Sequence, residues 1–300
     1  MEGPIFIGGF QRSGTTLLRY VLDSHPNIAC GPETVTLVPD VRIHVEKMLA
    51  NDRFSNSLKN FDLSQEDILR IFAREPIEKF FRKYLAGQCK PRLATKTPTN
   101  CLHFDFLGEL FPDAKFIHVI RDGRNCVCSL DKVSWFGDTL SNLAAFDLAA
   151  ERWARWTVEG MRHGSALDDR YLEVRYEALI KEPKSEISRI LKFLNEPWHD
   201  AVLNHSERKY IHEVAVDSGN KAGASRPIES RAHDAWRKKM SVKQQIRFAR
   251  IAGELLYDLG YELPSEYPRG AAYKDNESQN KGKFRRARKW LAHRLCPSEY

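Results

Sequence analysis

The chain has 300 residues, of which 42% are hydrophobic and 29% charged, and its formal net charge is +7. This composition excludes a chain that is disordered over most of its length, and six cysteines without a CxxC pair exclude a disulfide scaffold. Residues 281–294 hold seven Lys/Arg and no Asp or Glu, so the remaining chain is formally neutral, unlike a protein that coats nucleic acid.

The first thirty residues predict a βαβ unit. An apolar run over 4–7 ends in two glycines, as a buried strand that feeds a turn would. Residues 15–24 carry apolar side chains at helical spacing, and residues 27–30 form a second candidate strand. A strand, a glycine turn, a helix and a strand in this order imply a parallel sheet.

Residues 36–95 predict a mostly helical insertion that covers a site. Ser64 with Asp67 has the spacing of a capping box ahead of an apolar run, and Gly87 stands where a helix would end.

The second half of the chain predicts the remainder of one α/β domain. Residues 115–120 and 171–175 are strand-like runs, and helices are expected over about 184–194 and from Ser241 onward. The predicted fold class is therefore α/β, with a P-loop-type parallel sheet flanked by helices.

The expected domain covers residues 1–265, and residues 266–300 form a linker and a basic tail. Apolar side chains in the tail recur at helical spacing, at Phe284, Ala287, Leu291 and Leu295. Two interpretations stay open: an amphipathic helix that contacts an anionic membrane surface, and a solvated helix without a partner.

The loop from Gly9 to Thr16 has the glycine spacing of a phosphate-binding loop between a strand and a helix. Backbone N–H groups at such a helix start can hold a phosphate. The lysine of nucleotide triphosphatases is replaced by Thr15, and the positive charge comes instead from Arg12 inside the turn. The alternative is a glycine-rich turn without a ligand.

A kinase would also need a strand-end carboxylate for Mg²⁺. Asp122 is the one candidate in the sequence, and Arg121 stands beside it, which argues against a metal site.

Three segments of the N-terminal region resemble the 5′-phosphosulfate loop of sulfotransferases that use 3′-phosphoadenosine 5′-phosphosulfate (PAPS). They are FIGGFQRSGTTLLR at 6–19, LDSHP at 22–26 and CGPET at 30–34, and they are most similar to the tyrosylprotein branch and its bacterial relatives. The resemblance implies a three-layer sulfotransferase fold. It also implies that PAPS is bound at its 5′ end by five residues: Arg12, Ser13, Gly14, Thr15 and Thr16.

Further segments resemble the parts of this family that hold the adenosine. FIHVIRDGR at 116–124 implies that Arg121 and Ser129 bind the 3′ phosphate, and VRYEALI at 174–180 implies that Tyr176 completes the pocket. Arg226 is carried over from a C-terminal loop that covers the nucleotide.

The same resemblance implies a mechanism of in-line displacement at sulfur. Glu33 is the general base that takes the proton of the acceptor hydroxyl, and Lys96 and Arg12 neutralise charge on the departing oxygen. The expected product is 3′-phosphoadenosine 5′-phosphate (PAP), and no metal is expected.

The acceptor stays open between a peptide tyrosine, a glycan, a lipid and a metabolite hydroxyl. The tyrosylprotein branch has an acidic residue where Pro32 stands and an arginine where Val35 stands, and that arginine helps to read acidic peptides.

Two other classes compete with the sulfotransferase: a small-molecule kinase that uses ATP and Mg²⁺, and a membrane adaptor without activity. The sparse cysteines, without a CxxC pair, predict a reduced, cytoplasmic setting. The N-terminal sequence has neither the basic start expected of a signal peptide nor an apolar run of membrane length.

Overall fold

The computed structural model describes residues 3–131, 138–207, 227–228, 234–265 and 267. Within this part of the chain, no helix has both the length and the apolar character that crossing a membrane requires. The predicted basic tail lies outside the described residues, as does nearly all of the predicted linker.

The central sheet has five strands, which all run parallel. They are β1 Ile5–Gly8, β2 Ile28–Cys30, β3 Arg92–Lys96, β4 Lys115–Ile120 and β5 Tyr171–Arg175. Their order across the sheet is β2-β3-β1-β4-β5. Because parallel strands end at the same edge, the segments that follow β1, β2, β3 and β4 meet there.

Helices connect the strands and cover both faces of the sheet. The first six are α1 Thr15–Ser24, α2 Leu37–Leu49, α3 Asp52–Ser57, α4 Gln65–Leu69, α5 Glu75–Leu85 and α6 Phe104–Leu110. The next six are α7 Gly123–Leu130, α8 Leu143–Gly164, α9 Tyr176–Lys181, α10 Pro183–Phe193, α11 Trp236–Lys239 and α12 Val242–Asp258.

Strand β1 shows how the sequence produces three layers. Ile5 and Ile7 point into a core that they share with α1, α9 and α10. Phe6, between them, points into a second core with the insertion helices and α6. Successive side chains of a strand face opposite sides, so a strand covered on both faces is apolar throughout. The predicted parallel sheet flanked by helices is confirmed.

The predicted helix starts agree with the observed ones at Ser64 and Ser241, where capping residues mark them. Ser64 with Asp67 and Ser241 with Gln244 each form the reciprocal hydrogen bonds of a capping box. Helix α7 begins at Gly123, where the Asp122 side chain accepts a hydrogen bond from the backbone N–H of Arg124.

The insertion is helical from α2 to α5, but its predicted end at residue 95 is wrong. Residues 92–95 belong to β3, which pairs with β2 on one side and β1 on the other. The strand went unpredicted because Arg92 and Lys96 give it charged ends. Both charges are matched only in the fold, by Glu196 and Glu33 respectively.

Two histidines make the stability of the fold depend on pH. Burial lowers the pKa of His118 in β4 to about 3 and that of His103 to about 4. An unfolded chain binds a proton at each of them below about pH 6.5, whereas the folded chain does not. The free energy of unfolding should therefore be fully present above pH 6.5 and fall below it, by about 1.4 kcal/mol per pH unit for each histidine.

Urea unfolding between pH 7.5 and 5 measures this loss. His118→Gln should reduce the slope of the free energy of unfolding against pH by about 1.4 kcal/mol per pH unit, since it removes one of these two histidines. An unchanged slope in the variant would contradict the assignment.

Candidate active site

The loop between β1 and α1 bends sharply at three residues with positive φ. Gly9 has φ 151°, and a Cβ there would lie 2.4 Å from the carbonyl oxygen of Val119. Gly14 has φ 100° and is the N-cap of α1. Arg12 has φ 66°, a conformation that non-glycine residues rarely adopt and that often marks functional sites.

Hydrogen-bond donors at the start of α1 are available to a ligand. Because the N-cap is glycine, no side chain caps the first turn of the helix. The buried Ser13 hydroxyl also has no hydrogen-bond partner among the described residues. An anionic group that accepts several hydrogen bonds, such as a phosphate, fits this arrangement.

Four predicted nucleotide-binding residues form one contact cluster on the loop. Arg12 Nε donates to Ser129 Oγ at 2.9 Å, and Arg121 Nη1 donates to the backbone oxygen of Arg12 at 3.0 Å. The Arg121 guanidinium lies 4.2 Å from the centre of the Tyr176 ring. That ring packs on Gly14, where a Cβ would come within 2.3 Å of it. Glycine is thus required at position 14 by this contact as well as by its backbone conformation.

Arg121 retains hydrogen-bonding capacity inside this cluster. Its Nε is buried and has no partner among the described residues. A buried N–H of a guanidinium is costly to leave without an acceptor, so a phosphate oxygen at this point would remove the penalty.

A second cluster joins the other end of the loop to the segment after β2. Lys96, the last residue of β3, forms an ion pair with Glu33 and donates from Nζ to Thr16 Oγ1 at 3.1 Å. The Lys96 side chain is 1% exposed and that of Glu33 is 30% exposed. The ammonium is therefore held inside the protein, while the carboxylate can reach a ligand.

Hydrogen bonds to β3 and its continuation hold Glu33 in this place. The backbone N–H of Gly31 donates to the Ala94 carbonyl at 3.4 Å, which continues the ladder between β2 and β3. The backbone N–H of Thr34 donates to Thr97 Oγ1 at 3.1 Å. Both flanks of Glu33 are thereby tied to the segment that carries Lys96.

The structure adds two supporting residues that sequence reasoning did not select. Trp153 Nε1 donates to the Arg121 carbonyl at 3.1 Å, and Glu177 Oε1 accepts from the Asp122 backbone N–H at 3.0 Å. Both fix the turn that presents Arg121. The sequence holds a signal for Glu177, because this residue follows Tyr176 in the segment 174–180 that resembles the family. It holds no signal for Trp153, whose contact with Arg121 depends on how α8 packs.

Asp122 has an internal partner. Its carboxylate pairs with Arg124 at 2.7 Å, and both side chains are almost fully buried. The cation that pairs with Asp122 is thus Arg124 and not its neighbour Arg121. This pair uses the strand-end carboxylate that a magnesium site would need.

Cys30, three residues before Glu33, is not suited to nucleophilic chemistry. Burial raises the pKa of the Cys30 thiol to about 12, because the thiolate cannot be solvated there. Chemistry at this edge of the sheet therefore falls to carboxylate, ammonium, guanidinium and hydroxyl groups.

A cavity of about 420 Å³ opens beside Glu33, between the sheet edge and helices α2 and α5. The predicted insertion thus forms one wall of a pocket next to the candidate base. The predicted site residues from Arg12 to Thr16 belong to the loop itself. Arg121, Ser129 and Tyr176 contact one part of it, and Lys96, paired with Glu33, contacts it at Thr16. Arg226 lies outside the described residues.

Comparison with known proteins agrees with this geometry. The model of the "Sulfotransferase family" matches residues 4–200. A protein-tyrosine sulfotransferase of Drosophila melanogaster is 33% identical over 291 residues, which cover 92% of this chain and 56% of the fly protein. Protein-tyrosine sulfotransferase 1 of Danio rerio is 34% identical over 281 residues, covering 88% and 74% respectively.

The fold is shared with solved structures. The sulfotransferase domain from the curacin biosynthetic pathway superposes with a TM-score of 0.59 at 22% identity, covering 88% of this chain and 99% of that domain. The chain spans a little over half of the fly protein's length.

Proposed function

The chain belongs to the sulfotransferase family, and on that premise we propose that it transfers a sulfuryl group from PAPS to an acceptor hydroxyl. One observation carries the proposal. The loop over 9–16 joins two positively charged groups of residues, one at Arg12 and Arg121 and the other at Lys96, which is paired with Glu33.

The residues present fit the donor. The open first turn of α1 and the Ser13 hydroxyl would hold its 5′ phosphosulfate end. Arg121 and Ser129 would hold the 3′ phosphate, and the Tyr176 ring lies against Arg121 beside them. When bound, PAPS supplies an activated sulfuryl group and a phosphate leaving group.

The residues of this chain then have separate tasks. The Glu33 carboxylate takes the proton of the acceptor hydroxyl. The Lys96 ammonium and the Arg12 guanidinium stabilise negative charge that grows on the departing oxygen. Thr16 keeps the Lys96 ammonium beside the loop through the 3.1 Å hydrogen bond. These fixed positive charges are the reason why we expect activity without a metal.

We propose a phenolic hydroxyl as the acceptor. The relatives that match most of the chain are named protein-tyrosine sulfotransferases, which supports tyrosine or a related phenol over a glycan or a lipid. We also propose the cytoplasmic location, which the five unpaired cysteines within the described chain support. Membrane contact through the tail stays a prediction.

Binding of PAP gives the direct test. With PAP at a hundredfold excess over its Kd, the free energy of unfolding should rise by about 2.7 kcal/mol, and EDTA should not change the shift. Thermal unfolding with PAP, with 5′-AMP and with ATP plus Mg²⁺ measures it. Transfer of label from ³⁵S-PAPS to a phenol then measures activity.

The competing classes give different results in the same assay. Stabilisation by ATP and Mg²⁺ alone would indicate a kinase. PAP binding without consumption of PAPS in the presence of any hydroxyl acceptor would indicate a protein that keeps the fold without the activity. Either result would overturn the proposal.

A further inference from the structure

The cavity beside Glu33 has one wall of aromatic and aliphatic side chains. Its lining includes Phe81 and Tyr84 of α5, Leu37 and Val41 of α2, and Leu93 of β3. A volume of about 420 Å³ lies in the range of small-molecule sites. Such walls suit a flat apolar group, such as an aromatic ring.

Polar side chains also line the cavity. Thr95 is 3% exposed, and its hydroxyl has no hydrogen-bond partner among the described residues. Glu33 lines the cavity as well. A hydroxyl-bearing ring in the cavity would find a hydrogen-bonding group at Thr95 and a base at Glu33.

The charged side chains that line the cavity within the described chain are all negative. Among the described residues that line the cavity, Glu33 and Asp40 are charged, and none is Lys, Arg or His. Glu33 is paired with Lys96, whereas the Asp40 carboxylate, in the first turn of α2, has no hydrogen bond or ion pair within the described chain. Asp40 is therefore an unmatched negative charge on the cavity wall, and it would repel an anion and attract a cation.

Surface residues beside the cavity continue its apolar character. Val35, two residues after Glu33, is 60% exposed, and Phe80 of α5 is 54% exposed. Neither could balance the negative charge of an acidic acceptor. The described lining thus offers apolar contact and the carboxylates of Glu33 and Asp40, but no cation.

We infer that the acceptor is a phenol that carries no negative charge near its hydroxyl, and that a positively charged group on it is recognised by Asp40. The inference rests on the proposed function, because it assigns the acceptor of the same site. In the reaction, a bond forms between the phenol oxygen and sulfur while the bond from sulfur to the 5′-phosphate oxygen breaks. The phenolic proton goes to Glu33, and PAP leaves with the electron pair of the broken bond.

Three small phenols of similar size test the inference: tyramine with a cationic group, p-cresol without charge, and 4-hydroxyphenylacetate with an anionic group. With ³⁵S-PAPS, kcat/KM should be highest for tyramine and about tenfold lower for 4-hydroxyphenylacetate, since the charge on the phenol changes sign near the exposed Asp40 carboxylate. A second pair, tyrosine peptides flanked by lysine or by aspartate, should follow the same order. The series with the higher kcat/KM identifies a small phenol or a polypeptide as the source of the hydroxyl.

Variants at two matched positions assign the effect to Asp40. Asp40→Asn should lower the ratio of kcat/KM for tyramine over p-cresol about threefold. Asp52→Asn is the control, because Asp52 is an exposed residue in the first turn of the next helix and does not line the cavity. The control should leave all three rates unchanged, and PAP-dependent stabilisation reports that each variant is folded.

A preference for 4-hydroxyphenylacetate, an equal response to all three phenols, or a ratio unaffected by Asp40→Asn would overturn the inference while leaving the proposed function intact. Transfer to none of the phenols or peptides would overturn it as well. In that case PAP binding and PAPS consumption with other hydroxyl compounds decide the proposed function separately.

Discussion

Glu33→Gln is expected to lower kcat for sulfuryl transfer by about 10²–10⁴, the usual contribution of a positioned general base. The amide keeps the shape of the side chain and an oxygen that can accept from Lys96, but it cannot take a proton from the acceptor. The Kd for PAP should change little, because the adenosine end of the site is formed by other residues. Single-turnover transfer from ³⁵S-PAPS measures the rate of the chemical step.

Strand β3 offers a matched control for this variant. Arg92 begins the strand and pairs with Glu196 at 3.1 Å, whereas Lys96 ends it and pairs with Glu33. Glu196→Gln also weakens an ion pair to a buried cation, so it should cost stability in a similar way. It should leave kcat unchanged at a temperature where both variants are folded. If both variants lose activity equally, Glu33 acts through stability and not as a base.

Arg121→Ala is expected to raise the Kd for PAP by about 10²-fold. The variant removes a charged hydrogen-bond donor, worth about 1.5–3 kcal/mol, whose Nε is buried without a partner within the described chain. It also removes the contact that holds the Tyr176 ring. The Kd for 5′-AMP, which has no 3′ phosphate, should change less than about threefold, which corresponds to less than about 0.7 kcal/mol. Isothermal titration with both nucleotides measures the difference.

Arg175 provides the control for Arg121. It also ends a strand, and its guanidinium lies 4.4 Å from the centre of an aromatic ring, that of Tyr261. Arg175→Ala therefore removes an equivalent stacking contact outside the predicted nucleotide site. A loss of PAP affinity as large as that of Arg121→Ala, or an equal loss for 5′-AMP, would refute the assignment of Arg121 to the 3′ phosphate.

The elements that were predicted accurately are those whose signals are local. Helix α1 was predicted at its observed residues, 15–24, because a glycine loop precedes it and a proline follows it. Strands β4 and β5 were likewise predicted at their observed ends. A short apolar run between polar turns is enough to indicate a buried strand.

The insertion shows where local signals fail. Residues 92–96 lie between Pro91 and Pro98, but the charges at positions 92 and 96 interrupt the apolar run and hide the strand. Asp40 also carried no signal, since an acidic residue in the first turn of a helix is common on a surface. Its importance appears only from its place on the cavity wall.

The sequence by itself determined the class of fold, the position of the glycine-rich loop between β1 and α1 and the types of residue available for chemistry. These depend on hydrophobic periodicity, glycine spacing and resemblance over short segments. Only the tertiary structure decided that Lys96 pairs with Glu33, 63 positions away in the chain, and that Arg121 donates a hydrogen bond to the backbone oxygen of Arg12. It also decided that the Asp40 carboxylate, which has no partner within the described chain, lines the adjacent cavity. The physical reason is that charge pairing and cavity walls arise from side chains on strands and helices distant in the chain, which meet only when the parallel sheet brings their ends to one edge.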